Sequence, residues 1–107
     1  IGSDVLPDDQ KLIIETARVI RVGFLQQNAY HKDDTYVPLD KQLRMMRAIL
    51  YLHRSAQAVI ATGTPISRVI ALGLFDKLVR MKYEIPNDKP ELLDAYMPEI
   101  DKALASL

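Results

Sequence analysis

The stretch "LDKQLRMMRAILYLHRSAQAVIATGTP", residues 39 to 65, decides the fold class of this chain. Met45, Met46, Ile49, Leu52, Ala56 and Ile60 recur at three- and four-residue spacing and fall on one half of a helical wheel, while Arg44, Arg47, Tyr51 and Arg54 fall on the other. The pattern predicts an amphipathic core helix from about Leu39 to Thr62. Gly63 suits a left-handed cap, and Pro65 cannot extend the helix past it.

Working outward toward the N-terminus, a second long helix is expected from Pro7 to about Gln27. Pro7 fits a first turn, and Asp8 and Asp9 sit where the helix dipole favours anions. Ile13, Ala17, Ile20 and Phe24 mark its expected buried face. Leu12, Val19 and Val22 form a smaller apolar strip away from that face, so this helix reads as one covered on two sides. Toward the C-terminus the expectation is short helical pieces over Ile66 to Leu72 and Leu74 to Met81, separated by Gly73 and ended before Pro86. A last segment starts at Lys89, and Pro98 within it removes an amide donor and crowds the preceding turn, predicting a kink or two short helices over 87 to 107. No period-two run reads as a strand, and no repeat or low-complexity tract is found. The fold class is therefore all-α: a compact bundle of two long helices plus several shorter ones, in one domain over 1 to 107.

Composition narrows the function classes. The chain has 107 residues, enough for one modest core, and its 14 Lys and Arg balance 14 Asp and Glu, so no bulk field points to nucleic acid or membrane. Locally the charge is segregated: residues 37 to 86 carry eight Lys or Arg against three acids, and residues 87 to 107 carry two against five, so the tail is expected to fold back over the basic middle. No apolar run approaches the roughly 20 residues of a bilayer-spanning helix, and the first residues do not read as a signal peptide, so a soluble, cytoplasmic chain is the expectation. The absence of cysteine excludes thiolate zinc sites and cysteine nucleophiles.

Few motifs carry chemistry. Gly2, Gly23, Gly63 and Gly73 make neither a G-x-x-x-x-G-K-[ST] phosphate loop nor a G-x-G-x-x-G turn. In "FLQQNAYHKDDTY", residues 24 to 36, His31, Asp33 and Asp34 could supply metal ligands, but one histidine and two aspartates of a polar link read more simply as a turn, and no metal is assigned. His53 lies within the apolar arc of the 39 to 62 helix and reads as a core or interface histidine with a hydrogen-bond partner rather than a ligand or base. Arg44, Arg47 and Arg54 read as a solvated face paired with acids rather than a phosphate-binding stripe. Met45 and Met46 read as core filler.

Several ordered segments say more than periodicity does. "LPDDQKL" (6 to 12), "FLQQNAYH" (24 to 31), "DTY" (34 to 36), Lys41-Gln42, Ile49-Leu50 and "RMKY" (80 to 83) together resemble the C-terminal helical domain of the catalytic A subunit of V/A-type rotary ATPases. The resemblance implies a piece of a larger protein whose β-barrel, nucleotide-binding domain and catalytic acid lie upstream. On that basis the chain is expected to lack ATP hydrolysis alone. ATP or ADP with Mg would bind the larger parent protein, and this piece would hold no cofactor itself. The implied partners are the rest of the A subunit, the neighbouring B subunit, which alternates with it, and the central rotor stalk. No nucleic acid and no membrane insertion are implied, and the complex would be peripheral to the cytoplasmic face of the cell membrane. Residues 2 to 12 resemble in place and character the acidic "DELSEED" loop of the F-type β subunit, which implies that Asp4, Leu6, Asp8 and Asp9 face the rotor. Tyr30 occupies the position of an aromatic that lines the adenine pocket in the family, where Phe is usual; its ring keeps the stacking face. The alternatives from other classes are a free-standing helical interaction module that binds nucleic acid through the arginines, and a small metal-dependent enzyme at His31, Asp33 and Asp34.

Overall fold

The computed structural model describes residues 5–26 and 36–107. All regular elements among them are helical. α1 runs over Asp8–Arg18 and passes without a break into a π-helical segment, Val19–Leu25. α2 is the long helix, Leu39–Ala61, and is followed by the short α3 (Ile66–Ile70) and by α4 (Leu74–Glu84). A 3-10 segment, Pro90–Ala95, leads into α5, Tyr96–Ala105.

α2 follows its sequence pattern closely. Met45, Ile49, Leu52 and Ala56 are buried, Ile60 packs at the edge of the core, and the helix ends where Gly63 adopts φ 100° ahead of Pro65. A left-handed φ of this kind is strained for any residue with a Cβ. Gly73, at φ 78°, makes the same kind of turn between α3 and α4. Phe75, Leu78 and Met81 of α4 complete the centre of the core against α2.

The first helix is oriented differently from its expected face. Leu12 and Val19 are buried, whereas Ile13 is 57% and Ile14 is 49% exposed. Ala17 is exposed as well, and Ile20 and Phe24 pack only at the margin of the core. The strip read as secondary is therefore the inward one. Two long-range contacts decide this. Thr16 Oγ1 lies 2.7 Å from His53 Nδ1 of α2, and Gly23 is pressed so close to α4 that a Cβ there would stand 2.8 Å from Val79 Cα. A helix with two apolar strips has two solutions locally, and these contacts select one. The π turn keeps Val19 and Gly23 both buried across the crossing with α4.

The tail lies back over α2 and α4, as the charge segregation predicts. Asp94 pairs with Arg44, Glu99 pairs with Lys77, and Tyr51 donates its hydroxyl hydrogen to Asp101 at 2.6 Å. Arg44 also holds Asp40 at 3.0 Å, and its guanidinium pKa is raised above the ordinary value by Asp40 first and Asp94 second. These are solvent-screened surface pairs, so they orient the tail rather than hold it. Leu93, Tyr96 and Ile100 supply the burial. Burial raises the Tyr96 phenol pKa, and the nearby carboxylates of Glu84 and Glu99 raise it further. Pro98 does not kink a continuous helix. It occupies the first turn of α5, where no intrahelical donor is required, so the tail forms two short helical pieces with their boundary at Ala95 and Tyr96.

Candidate functional site

Two places concentrate polar groups that join one helix end to another. One is the corner at the end of α4. Lys41 sits on the core stripe of α2, four residues before Met45, and is completely buried. Its ammonium donates to Lys82 O at 2.7 Å, to Ile85 O at 2.6 Å and to Asn87 Oδ1 at 2.8 Å. The two carbonyls belong to the last turn of α4 and the residue after it, groups that a helix leaves without intrahelical donors. A cation placed there also complements the negative end of the helix dipole.

Lys82 repeats the arrangement one step outward. It is 3% exposed, and its ammonium donates at 2.6 Å to Gln26 O, the residue that closes the π segment. Asn87, which accepts from Lys41 through Oδ1, donates through Nδ2 to Tyr36 O at 2.8 Å. Gln42 Nε2 donates to Val37 O at 2.8 Å. Gln26 and Tyr36 flank residues 27 to 35, so both flanks of that segment are fastened to the same end of α4 by charged or amide donors. Each such bond to an ammonium is worth more than a neutral one, roughly 1.5–3 kcal/mol. Tyr30, His31, Asp33 and Asp34 lie outside the described residues.

The second place is the N-terminal end of α1. Asp8 is half-buried, and its Oδ2 accepts the Ile66 N–H at 3.0 Å, so the carboxylate closes the first turn of α3 as well as opening α1. Asp9 is exposed, Leu6 is half-buried and Val5 is 69% exposed. Asp4 lies outside the described residues. Of the acids implied to face a rotor, Asp8 is thus tied to another helix and Asp9 projects into solvent.

Acid–base chemistry finds little to work with here. The Thr16 and His53 pair is a hydroxyl beside an imidazole, but the crevice next to it, lined by Val19, Ile49, Leu52, Phe75 and Leu78, is too small to admit water. His53 is therefore a half-buried residue at the α1–α2 contact, hydrogen-bonded to Thr16, rather than a member of the core. Among the described residues no three His, Cys, Asp or Glu side chains gather as a metal-ligand set. No helix among them is long and apolar enough to cross a membrane.

Lys41, Lys82 and Asn87 were not singled out from the sequence as a cluster. The available signal was Lys41 itself, a charge in register with Met45, Ile49, Leu52 and Ala56 on a core stripe. A buried cation at such a position requires acceptors, and the end of a neighbouring helix is where unpaired carbonyls are found.

The sequence of the chain matches the family described as the C-terminal domain of V and A type ATP synthase over residues 1–70. This chain belongs to that family. It is 52% identical over 88 residues, 82% of its length, to V-type ATP synthase alpha chain 2 of Clostridium tetani, of which the match covers 15%. It is 42% identical over 102 residues, 95% of its length, to the V-type ATP synthase alpha chain of Halothermothrix orenii, covering 17% of that protein. With the V-type ATP synthase alpha chain of Clostridioides difficile it shares 42% identity over 107 residues, the whole chain, and the match covers 18% of the relative. The chain therefore spans less than a fifth of the length of these relatives, and similarity to the last of them extends through the tail.

Proposed function

We propose that this C-terminal domain is the mechanical and docking part of the catalytic chain of a rotary ATPase, without ATP hydrolysis of its own. The observation that carries the reading is membership of the V/A-type family over a chain that spans only 15–18% of its relatives and holds no phosphate loop. Nucleotide and Mg bind in the larger parent protein. Tyr30 stacks on adenine there, and closure of the upstream nucleotide-binding domain moves the helical domain against the central stalk through Asp4, Leu6, Asp8 and Asp9. The remaining partners are the rest of the A subunit, together with the B subunit, in a complex on the cytoplasmic face of the membrane that moves protons or sodium ions.

The geometry supports this reading in two ways. Gln26 and Tyr36, the described residues on either side of 27 to 35, are both bonded to the end of α4, one by the Lys82 ammonium and one by the Asn87 amide, which suits the role given to Tyr30. Asp8 joins α1 to α3, so a force on the α1 N-terminus reaches a second helix directly. Exposed acid at Asp9 beside apolar Val5 can guide a basic rotor surface without deep burial. Nucleic-acid binding through the arginines is less well supported, because Arg44 is already held by Asp40 and Asp94.

The test has two arms. The purified 107-residue chain should show no ATP turnover above a boiled control; turnover abolished by a substitution within it would overturn the mechanical reading. In the intact complex, Tyr30→Ala should weaken nucleotide binding by the roughly 1–3 kcal/mol typical of an aromatic–base stack. Unchanged affinity would refute the role given to Tyr30.

A further inference from the structure

α1 and α3 open in the same way. Each is preceded by a proline in extended backbone, Pro7 at ψ 156° and Pro65 at ψ 142°, and neither proline has a side-chain acceptor for the amides that follow. α3 has only five residues, too few to hold a helix by its own bonds, so its start needs outside support. Asp8 supplies it. Its Oδ2 accepts the Ile66 N–H at 3.0 Å across 58 residues of sequence, and the Ile66 and Val69 side chains anchor α3 in the core. The same offset returns at the far end of α1, where Arg18 donates to Asp76 in the first turn of α4 at 2.7 Å. Gly23 against Val79 and Gln26 with Lys82 follow at an offset of 56. Matched offsets of this kind mean that α1 and its π extension run parallel to α3 and α4 and meet them in order along the way.

We propose that Asp8 is a positioning residue: it passes displacement of the α1 first turn into α3 and α4 through the Ile66 N–H, and this bond, rather than its charge on the stalk, is what it contributes to coupling. The inference rests on the mechanical reading and narrows it to one bond. Asp8 is half-buried and has an oxygen committed to α3, whereas neighbouring Asp9 is exposed. A hydrogen bond is directional where apolar contact is not, so it fixes the start of α3 against α1. From α3 the path onward is short. Gly73 N–H donates to Ile70 O and the Gly73 carbonyl accepts from Lys77 N–H, both at 3.0 Å, so the turn between α3 and α4 is itself hydrogen-bonded. Arg18 and Asp76 form a solvent-screened pair and cannot replace Asp8 in this role.

The test uses membrane vesicles that carry the intact complex, with initial rates of ATP hydrolysis and of membrane-potential build-up measured together; a voltage-sensitive dye responds to protons and sodium ions alike. Loss of one cap shifts a local equilibrium by roughly twofold to tenfold, so Asp8→Ala should lower the charge moved per ATP hydrolysed by about twofold or more. Asp8→Asn keeps an acceptor oxygen and should behave as the unsubstituted protein. Ile66→Pro removes the donor and leaves the Asp8 charge in place; proline is accepted at the first position of a helix, and Pro65 already has the extended ψ that a following proline requires. It should match Asp8→Ala, while Ile66→Val, which trims the side chain but keeps the N–H, should not. A stalk contact made by charge predicts the reverse, loss with Asp8→Asn and none with Ile66→Pro, and that result would overturn the proposal. So would hydrolysis and charge movement falling in proportion, the mark of a merely structural role, or no effect of either Asp8→Ala or Ile66→Pro. Where Asp8→Ala fails to assemble, Asp8→Asn and the comparison of Ile66→Pro with Ile66→Val decide. Deleting Val5 and Leu6 tests the mechanical reading by itself: coupling that survives the deletion counts against that reading, and coupling lost there but kept in Ile66→Pro counts against the role of Asp8 alone.

Discussion

Gly23→Ala should destabilise this domain, although helix propensity alone says the opposite. Gly23 lies inside a helical run, where replacing glycine by alanine ordinarily gains about 1 kcal/mol. The packing argues against that gain. An added Cβ would stand 2.8 Å from Val79 Cα, 3.1 Å from Val79 O and 3.2 Å from Leu78 O. Comfortable carbon–carbon contact lies at roughly 3.5–4.0 Å, so the worst overlap is most of an ångström. All three obstructing atoms belong to the α4 backbone and cannot rotate aside. Relief requires the π segment and α4 to separate, which loosens Val19 and Leu78 in the core.

Overpacking of this kind costs about 1–3 kcal/mol, and backbone obstruction places it in the upper half of that range. After the propensity gain, a net loss of about 1–2 kcal/mol remains. For a domain of this size that corresponds to a fall in Tm of roughly 4–16 °C. Thermal and urea denaturation followed by circular dichroism measure it, with Gly63→Ala as the comparison. Gly63 has nothing within 4 Å of its virtual Cβ, and its cost comes from φ 100° instead. Val79→Ala should not rescue Gly23→Ala, because the clash is with Val79 Cα and O. An unchanged or higher Tm for Gly23→Ala, or full rescue by Val79→Ala, would refute the close-crossing argument.

Three other outcomes follow from the polar network and the tail. Lys41→Met should lower stability by about 2–3 kcal/mol in urea denaturation, because Lys82 O, Ile85 O and Asn87 Oδ1 each lose a buried ammonium donor. Asp8→Ala should cost about 1 kcal/mol by removing the acceptor for the Ile66 N–H, whereas exposed Asp9→Ala should stay within about 0.5 kcal/mol; equal effects would contradict the capping role. Tyr96 should titrate above an ordinary phenol in an ultraviolet titration. Its raised pKa means the fold favours the neutral form, so that stabilisation is full below the unfolded pKa near 10 and is lost as pH rises through the folded value; Tyr96→Phe should remove the corresponding alkaline loss of stability.

How far the sequence reaches differs between elements for a physical reason. α2 is legible because its periodicity has one apolar arc and its end is written in Gly63 and Pro65, so local chemistry alone determines it. The face of α1 is not, because Ile13, Ala17, Ile20 and Phe24 compete with Leu12 and Val19, and the choice belongs to His53 and to the α4 backbone, each far away in sequence. Pro98 announced a break, but whether as a kink or as a first-turn proline depended on where α5 begins. Of the candidate site, Asp8 and Asp9 were legible as helix-opening acids, while the bond from Asp8 to Ile66 was not. The Lys41, Lys82 and Asn87 lock is a set of side-chain bonds to main-chain carbonyls. Carbonyls carry no letter in a sequence, so only the buried register of Lys41 could have betrayed it.

The same bonds tie α1 and its π extension to neighbouring helices at both ends, as a strut. Residues 8 to 25 form a continuous helical run of roughly 25 Å at the usual rise per residue. At one end Asp8 is bonded to the first amide of α3, and at the other the carbonyl of Gln26 is bonded to the Lys82 ammonium of α4. Both bonds join an ionised group to a helix terminus, the strong class of hydrogen bond, and Gly23 fixes the strut against α4 between them. A helix secured only by apolar contact can slide along its neighbour with little change in burial, since the hydrophobic effect is non-directional. A helix bonded at both ends must carry α3 and α4 with it. Motion at the Asp8 end of this strut therefore reaches the Gln26 end as displacement of a rigid body rather than as local unfolding.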